Sequence, residues 1–296
     1  MSTGEHQDLS VALGALARSC MPIMAGGTDF YPALRDAPAP LQVIDVTRIH
    51  GLRGVEKTTS GWRIGAATTW TDIIRAPLPP VFDALKAAAS EIGSIQIQNS
   101  ATVAGNLCNA SPAADGVPPL LTLDASVELA SVRGVRILPL SEFILGPRST
   151  ARVADELMVA INIPDIAPEA RSAFIKLGSR RYLVISIVMA SIVLRADENG
   201  FLQQVCIAAG ACSAVAQRLH ELENVLNGKS IQDDLVSLVT PAMLTALSPI
   251  DDVRGSREYR MEAVQQLVRR LLADCLHDLP GNQVCLSPGS GHGALS

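Results

Sequence analysis

Aromatic side chains are scarce. Phe, Trp and Tyr make up 3% of the 296 residues, too few for the stacking platforms that hold single-stranded nucleic acid. Excess positive charge is missing as well. Lys and Arg number 24 against 29 Asp and Glu, a net charge of −5, and a phosphate-backbone partner wants a basic surface. The six cysteines, at 20, 108, 206, 212, 275 and 285, form no Cys-x-x-Cys and none clusters with histidine at metal-ligand spacing. Neither structural zinc nor an iron–sulfur cluster is therefore expected on this chain. No Gly-x-Gly-x-x-Gly follows a strand, which removes a Rossmann-type NAD site. The most apolar run, Leu183–Leu194, is too short to span a bilayer and reads as a buried strand. The start, Met1-Ser-Thr-Gly-Glu-His-Gln-Asp8, is polar and carries acids, unlike a secretory signal. A cytoplasmic protein without nucleic-acid or membrane partners is expected.

What is present describes a soluble globular chain: 48% hydrophobic and 18% charged residues, with length for two modest domains. Two stretches stand out. Asn99–Asp115 is built from Ala, Gly, Ser, Thr and Asn, so it buries little apolar surface and must be held by backbone hydrogen bonds. Small side chains let a main chain approach a ligand closely, and Gly105 is free to take a positive φ. Successive N–H groups in such a turn form an anion-binding concavity. Ile23-Met-Ala-Gly-Gly-Thr-Asp-Phe30 has the same character, with Thr28 or Asp29 placed to cap a following helix. The residues alone fit two readings: a clasp around the diphosphate of a dinucleotide, or two ordinary tight turns.

Apolar periodicity predicts helices over 9–19, 81–92, 215–226 and 231–247, the last broken by Pro241. A final helix is marked on one face by Tyr259, Val264, Leu267, Val268, Leu271, Leu272 and Cys275. Strands are expected at 22–25, 41–46 and 62–67. A helical cluster at 120 runs into a strand ending at 129, which forms a hairpin with 135–138, and a strand at 156–164 ends on Pro164. Three more follow a linker at 165–172, at 173–178, 185–195 and 202–212. His220-Glu-Leu-Glu-Asn224 fails as a zinc helix at Asn224, and Gly228-Lys-Ser230 lacks the earlier glycine of a phosphate loop. No residue set marks covalent catalysis, which suits a protein whose chemistry is carried by a cofactor.

Ala25-Gly-Gly-Thr-Asp29 paired with Thr102-Val-Ala-Gly-Asn106 resembles the double-glycine motifs of the FAD-binding medium subunits of molybdenum hydroxylases, the xanthine dehydrogenase and carbon monoxide dehydrogenase group. Ile64-Gly-Ala-Ala-Thr-Thr69, Ser111-Pro-Ala-Ala-Asp115, Lys176-Leu-Gly-Ser-Arg-Arg181 with Ile185-Ser186, and Asp252-Val-Arg-Gly-Ser-Arg-Glu-Tyr-Arg260 extend the likeness over roughly 20–276. The resemblance implies an α+β fold. A two-part FAD-binding domain of the vanillyl-alcohol-oxidase or PCMH type would cover 1–165. A C-terminal domain over 171–280, like that of the carbon monoxide dehydrogenase flavoprotein, would hold a three-stranded antiparallel sheet and a helical bundle. The tail 281–296 is expected to be disordered.

It also implies an oxidoreductase subunit that takes electrons from [2Fe–2S] clusters on a small partner and passes them to an external acceptor. The molybdenum cofactor would sit on a large molybdopterin-binding partner, the whole forming a dimer of heterotrimers. By the same resemblance Gly26, Gly27, Thr28 and Asp29 would meet the FAD diphosphate, flanked by Ile23, Met24, Ala25 and Phe30. Thr102, Val103, Ala104, Gly105 and Asn106 would close the other side, and Ile92 would touch the nucleotide. Asp115 would accept from ribityl or ribose hydroxyls, Met158 would make an apolar contact and Lys176 would stand near the isoalloxazine or its ribityl chain. The sequence departs from relatives at Ala104, where many carry a second glycine, and at Gln98 and Ser100, where arginines are common. If position 104 needs positive φ, alanine is strained there by about 1 kcal/mol. A self-sufficient FAD oxidase and a flavin-free structural module are the rival readings.

Overall fold

The computed structural model describes residues 8–19, 21–180 and 183–279, so the tail expected at 281–296 lies outside the described residues. Helix α1 (Leu9–Arg18) is capped by Asp8, which accepts from Ser10 N, and buries Ala12, Leu13, Ala15 and Leu16. Strand β1 (Ile23–Met24) pairs in parallel with β2 (Ile44–Asp45), and the five-residue α2 (Phe30–Leu34) lies between them. The strand expected over 41–46 shrinks to β2 because Asp45 accepts from Thr47 N and turns the chain into a 3-10 helix at Val46–Arg48.

Next come β3 (Val55–Thr58), β4 (Gly61–Gly65), α3 (Trp70–Arg75), α4 (Asp83–Glu91), α5 (Ile95–Ser100), α6 (Val103–Asn109) and α7 (Val117–Thr122). They are followed by β5 (Ser126–Ser131), β6 (Gly134–Pro139), α8 (Leu140–Phe143), β7 (Ile144–Gly146), β8 (Ser149–Thr150) and β9 (Leu157–Pro164). The order β3-β4-β9-β5-β6 makes one antiparallel sheet. β9 lies at its centre, and its first five residues and Ile163 are buried. Both its faces are covered, so it reads as a continuous apolar run rather than an alternation. The hairpin expected around Arg133-Gly134 forms, with Ser131 opposite Gly134.

Four strands, β10 (Arg171–Leu177), β11 (Val188–Ala196), β12 (Leu202–Gly210) and β13 (Gln217–Arg218), make a second antiparallel sheet in sequence order. The expected three long strands thus gain a two-residue fourth. Val188, Ala190, Ile192 and Leu194 face a core shared with α9 (His220–Leu226) and α10 (Arg257–His277). The opposite face, through Val193, Cys206 and Ala208, joins the core of the first sheet. Two covered faces explain the uniform apolarity of 188–194, whereas Leu183 and Ile185, read as part of the same buried run, precede the strand and are exposed.

Three expectations are corrected. The helix read from Val215 starts only at His220, because Gln217 and Arg218 pair with Ala209 and Ala208. The region 231–247 forms 3-10 turns at Val236–Leu238 and Pro241–Leu244, not α-helix. Asp234 accepts from Ser237 N through its side chain, a local bond that competes with helix, so no helical bundle forms there. On α10, Tyr259 is 46% exposed, and Arg260 lies inside in its place, donating to Ala211 O at 3.1 Å and Asp252 Oδ1 at 2.7 Å. Among the described residues no helix is long and apolar enough to cross a membrane.

Candidate cofactor site

The glycine stretches meet. A Cβ on Gly26 would lie 1.9 Å from Ser100 O, and one on Gly105 would come 3.8 Å from Ala25 Cβ. Only a bare main chain at Gly26 lets the two segments approach this closely. Gly27 adopts φ +74°, a left-handed conformation in the turn between β1 and α2. Between the segments lies a cavity of about 260 Å³ lined by Ala25, Gly26, Gly27, Thr28, Asp29 and Phe30 on one side. Thr102, Gly105 and Asn106 line the other, with Ile92 and, unforeseen from sequence, Trp70, Ile97 and Ala101. Ile23, Met24, Val103 and Ala104, expected at the site, do not line this cavity.

The 102–106 stretch hangs on 68–70. Val103 N donates to Thr68 O at 3.0 Å and Trp70 N to Ala101 O at 3.2 Å. Thr69 and Asp72 form a capping box at the start of α3, which fixes the direction of that support. Thr102 caps α6 by accepting from Gly105 N at 3.0 Å. Here the structure corrects the expected bare loop. Ala104 and Gly105 lie inside a helix, and neither takes a positive φ. The strain expected at Ala104 does not arise.

No lysine or arginine lines this cavity, and Asp29 does. Asp29 occupies the cap position of α2 but makes no side-chain capping bond. It accepts instead from Asn109 Nδ2 at 2.8 Å. Arg148 donates to Asn109 Oδ1 and stands 3.8 Å from the Asp29 carboxylate, the nearest compensating charge.

Asp115, Met158 and Lys176 do not line the cavity. Asp115 and Lys176 bond to each other at 2.7 Å, and Asp115 also accepts from Ser186 Oγ at 2.5 Å. Lys176 donates further to Glu91 O at 3.1 Å. Both side chains are over nine-tenths buried. Burial pushes the Asp115 carboxyl above its ordinary value, while the Lys176 charge and the two hydrogen bonds pull it back. Lys176 lines a second cavity of about 510 Å³ with Glu91, Gly178 and Arg180. Glu91 on this second wall immediately precedes Ile92, a residue of the first, in the chain. Met158 is 3% exposed, a core residue of β9 opposite Leu129.

On two of the lining residues a buried polar atom has no partner among the described residues, Trp70 Nε1 and Asn106 Oδ1. Their side chains converge on Gly116, where a Cβ would sit 2.4 Å from Trp70 Cη2 and 3.0 Å from Asn106 Oδ1. Buried polar groups are otherwise almost always paired. The cradle of Cβ-free backbone at Gly26 and Gly105 fits a ligand that approaches the main chain closely.

Comparison with known proteins agrees with this architecture. The family model for the FAD-binding domain in molybdopterin dehydrogenase matches residues 5–166, and that for the CO dehydrogenase flavoprotein C-terminal domain matches 173–275. The chain belongs to the family of FAD-binding subunits of molybdopterin dehydrogenases. It is 33% identical to the nicotinate dehydrogenase FAD-subunit of Eubacterium barkeri, over 88% of this chain and 89% of that protein. It is 31% identical to a putative xanthine dehydrogenase FAD-binding subunit of Escherichia coli, over 86% and 88%. A carbon monoxide dehydrogenase structure from Hydrogenophaga pseudoflava superposes with a TM-score of 0.84 at 27% identity, covering 93% of this chain and 96% of that one. The mixed α/β fold is that of these subunits.

Proposed function

We propose that the chain binds FAD between residues 25–30 and 102–106 and serves as the electron-transfer subunit of a molybdenum hydroxylase complex. The observation that carries this reading is the cavity shared by both glycine stretches, closed to the width of a main chain at Gly26. In this reading the diphosphate rests on residues 25–29 and 102–106, with Thr28 and Asn106 supplying polar side chains. The flavin half extends past Ile92 toward the second cavity, where Lys176 stands already paired with Asp115. Bound FAD supplies a carrier that exchanges one or two electrons; the protein supplies binding, orientation and electrostatics.

The division into a PCMH-type FAD-binding domain over 1–165 and a flavoprotein C-terminal domain over 171–280 belongs to this reading. So do its partners: a large molybdopterin-binding subunit and a small [2Fe–2S] subunit, assembled as a dimer of heterotrimers in the cytoplasm. Electrons would enter from the small subunit and leave to an external acceptor. The test is the visible spectrum of the purified chain, an FAD titration, and the identity of subunits that co-purify. One noncovalent FAD per chain, without hydroxylase activity in the chain alone, is the expected result. A colourless chain that takes up no FAD would overturn the reading. Flavin that stays in an acid-precipitated pellet would favour the self-sufficient oxidase.

A further inference from the structure

We propose that Asn109 and Arg148 are positioning residues: through Asp29 they latch the segment 28–42 closed against the first cavity, and the segment opens to let the nucleotide in and out. This rests on the FAD reading above and gives the Asp29 side chain a role of its own. From Ala25 to Gln42 no residue is buried, and Tyr31 and Leu41 are exposed. The two feet of the segment lie side by side, since Ile23 pairs with Ile44 and Met24 with Asp45. Between the feet the chain bonds to itself, Ala33 N to Asp29 O at 3.0 Å and Ala37 N to Leu34 O at 2.8 Å. A stretch without buried apolar contacts costs little to lift from the body of a protein. Thr28, Asp29 and Phe30 at its start line the first cavity, so lifting it opens one wall.

The receiving side is fixed. Asn109 ends α6, and Ala110 after it is buried with φ +46°. Arg148, in the turn between β7 and β8, has φ +58° and donates its backbone N–H to Ala110 O at 2.8 Å. Two non-glycine residues in the left-handed region, bonded to each other, hold strain that only well-determined surroundings keep, and such strain gathers at ligand clamps and switches. Arg148 donates to Asn109 Oδ1, which turns the amide so that Nδ2 donates to Asp29 Oδ2 at 2.8 Å. The guanidinium itself stands 3.8 Å from the same carboxylate. Asp29 is exposed, so the tie is weak enough to break and re-form unaided. A carboxylate aimed at a diphosphate would repel it. Turned to Asn109 and Arg148, it closes the wall with its charge offset.

A latch present in both the empty and the loaded protein slows entry and exit alike, so its loss speeds both and leaves the dissociation constant nearly still. The test uses the full chain as wild type, as Asn109→Asp, and as a swap variant combining Asp29→Asn with Asn109→Asp. In Asn109→Asp two carboxylates face each other and the latch is lost. In the swap variant the amide at position 29 donates to the carboxylate at position 109, Arg148 keeps its acceptor, and the net charge is that of wild type. Rapid mixing with FAD, followed by flavin fluorescence, should show association and release each about fivefold faster in Asn109→Asp, with Kd moved less than about twofold. Both rates should return in the swap variant. Release that quickens while association holds would mark a direct ligand contact and overturn the latch. Unchanged rates, or a swap variant that does not recover, would overturn it too. Hydrogen exchange of the ligand-free chains reads the latch without FAD: amides of 28–42 should exchange faster in Asn109→Asp than in the other two, with α6 and the sheets unaltered. Equal protection in all three overturns the proposal. A wild type that shows this pattern yet binds no FAD sinks the ligand reading and supports the latch. Should Asn109→Asp fail to fold, Asp29→Ala at its exposed position is expected to free 28–42 in the same way, and unchanged protection there counts against the latch.

Discussion

Arg148 is the cation that an acid-edged cavity needs. It neutralises Asp29 from outside the lining, held by Asn109, and its own backbone N–H is fixed to Ala110 O at 2.8 Å. In the proposed site, removing it would leave the Asp29 carboxylate facing the diphosphate uncompensated. Arg148→Ala should weaken FAD about threefold at low salt, with the loss shrinking as salt is raised, because the guanidinium is 61% exposed and therefore screened. Riboflavin, which has no phosphate, should bind the variant as it binds wild type. Ala104 supports a prediction of opposite sign to the one its sequence context suggested. Inside α6 a glycine is less favourable than alanine, so Ala104→Gly should lower stability by about 0.5–1 kcal/mol in a denaturant titration. The positions of the glycines were legible because close backbone approach tolerates no Cβ at Gly26. The conformation of 102–106 was not, because Thr102 provides a cap that converts a small-residue stretch into a helix. Trp70 was invisible for another reason: a tryptophan opening an apolar helix looks like any core residue until its unpaired nitrogen is seen.

At the scale of elements, the central strand β9 is anchored at its start by Glu156. Arg136 of β6 donates to both oxygens, at 2.7 and 2.9 Å, and Val153 N adds a third bond at 3.0 Å. Arg136 first, and Val153 N after it, hold the Glu156 carboxyl below its ordinary value of 4.5. A depressed carboxyl releases its proton more readily in the folded state, so its stabilisation is complete above pH 4.5 and fades as pH falls through the lower folded value. Glu156→Gln should therefore cost about 1–2 kcal/mol at pH 7, with the difference between the two melting curves closing as pH falls through the lowered folded value. In this sheet β4, β5, β6 and β9 were readable, the last as an apolar run stopped by Pro164, while β3 was not expected. The 3-10 turns at 236–244 were not, since apolar residues at helical spacing also fit turns that side chains such as Asp234 have locked. Nor was β13, which exists only because β12 offers Gln217 and Arg218 an open edge.

Across the whole molecule, the two sheets are joined by charge as well as by apolar packing. Arg218 on the second sheet donates to Asp124 at 2.6 Å and to Leu121 O at 3.0 Å, while Glu223 holds its other nitrogens. Lys176 and Asp115 form the second link, and Thr122 meets Ser191 at 3.1 Å. Lys176→Met would strand a buried carboxylate and should cost about 3–5 kcal/mol at pH 7. Burial already raises the Asp115 carboxyl. A raised carboxyl binds its proton more tightly when folded, so the deficit should narrow as pH is lowered, which thermal melts across pH would read. That two cores exist was legible from the change of pattern after residue 165. Which buried charges tie them was not, since ion pairing between residues sixty apart leaves no periodic trace.

The Lys176 ammonium grips Glu91 O, one residue before Ile92 enters the cavity wall. The proposed nucleotide pocket thus has a hinge pin driven in from the far half of the molecule. A fragment cut near residue 170 would keep both glycine corners and still leak its ligand, and yellow colour would report whether the halves remain clasped.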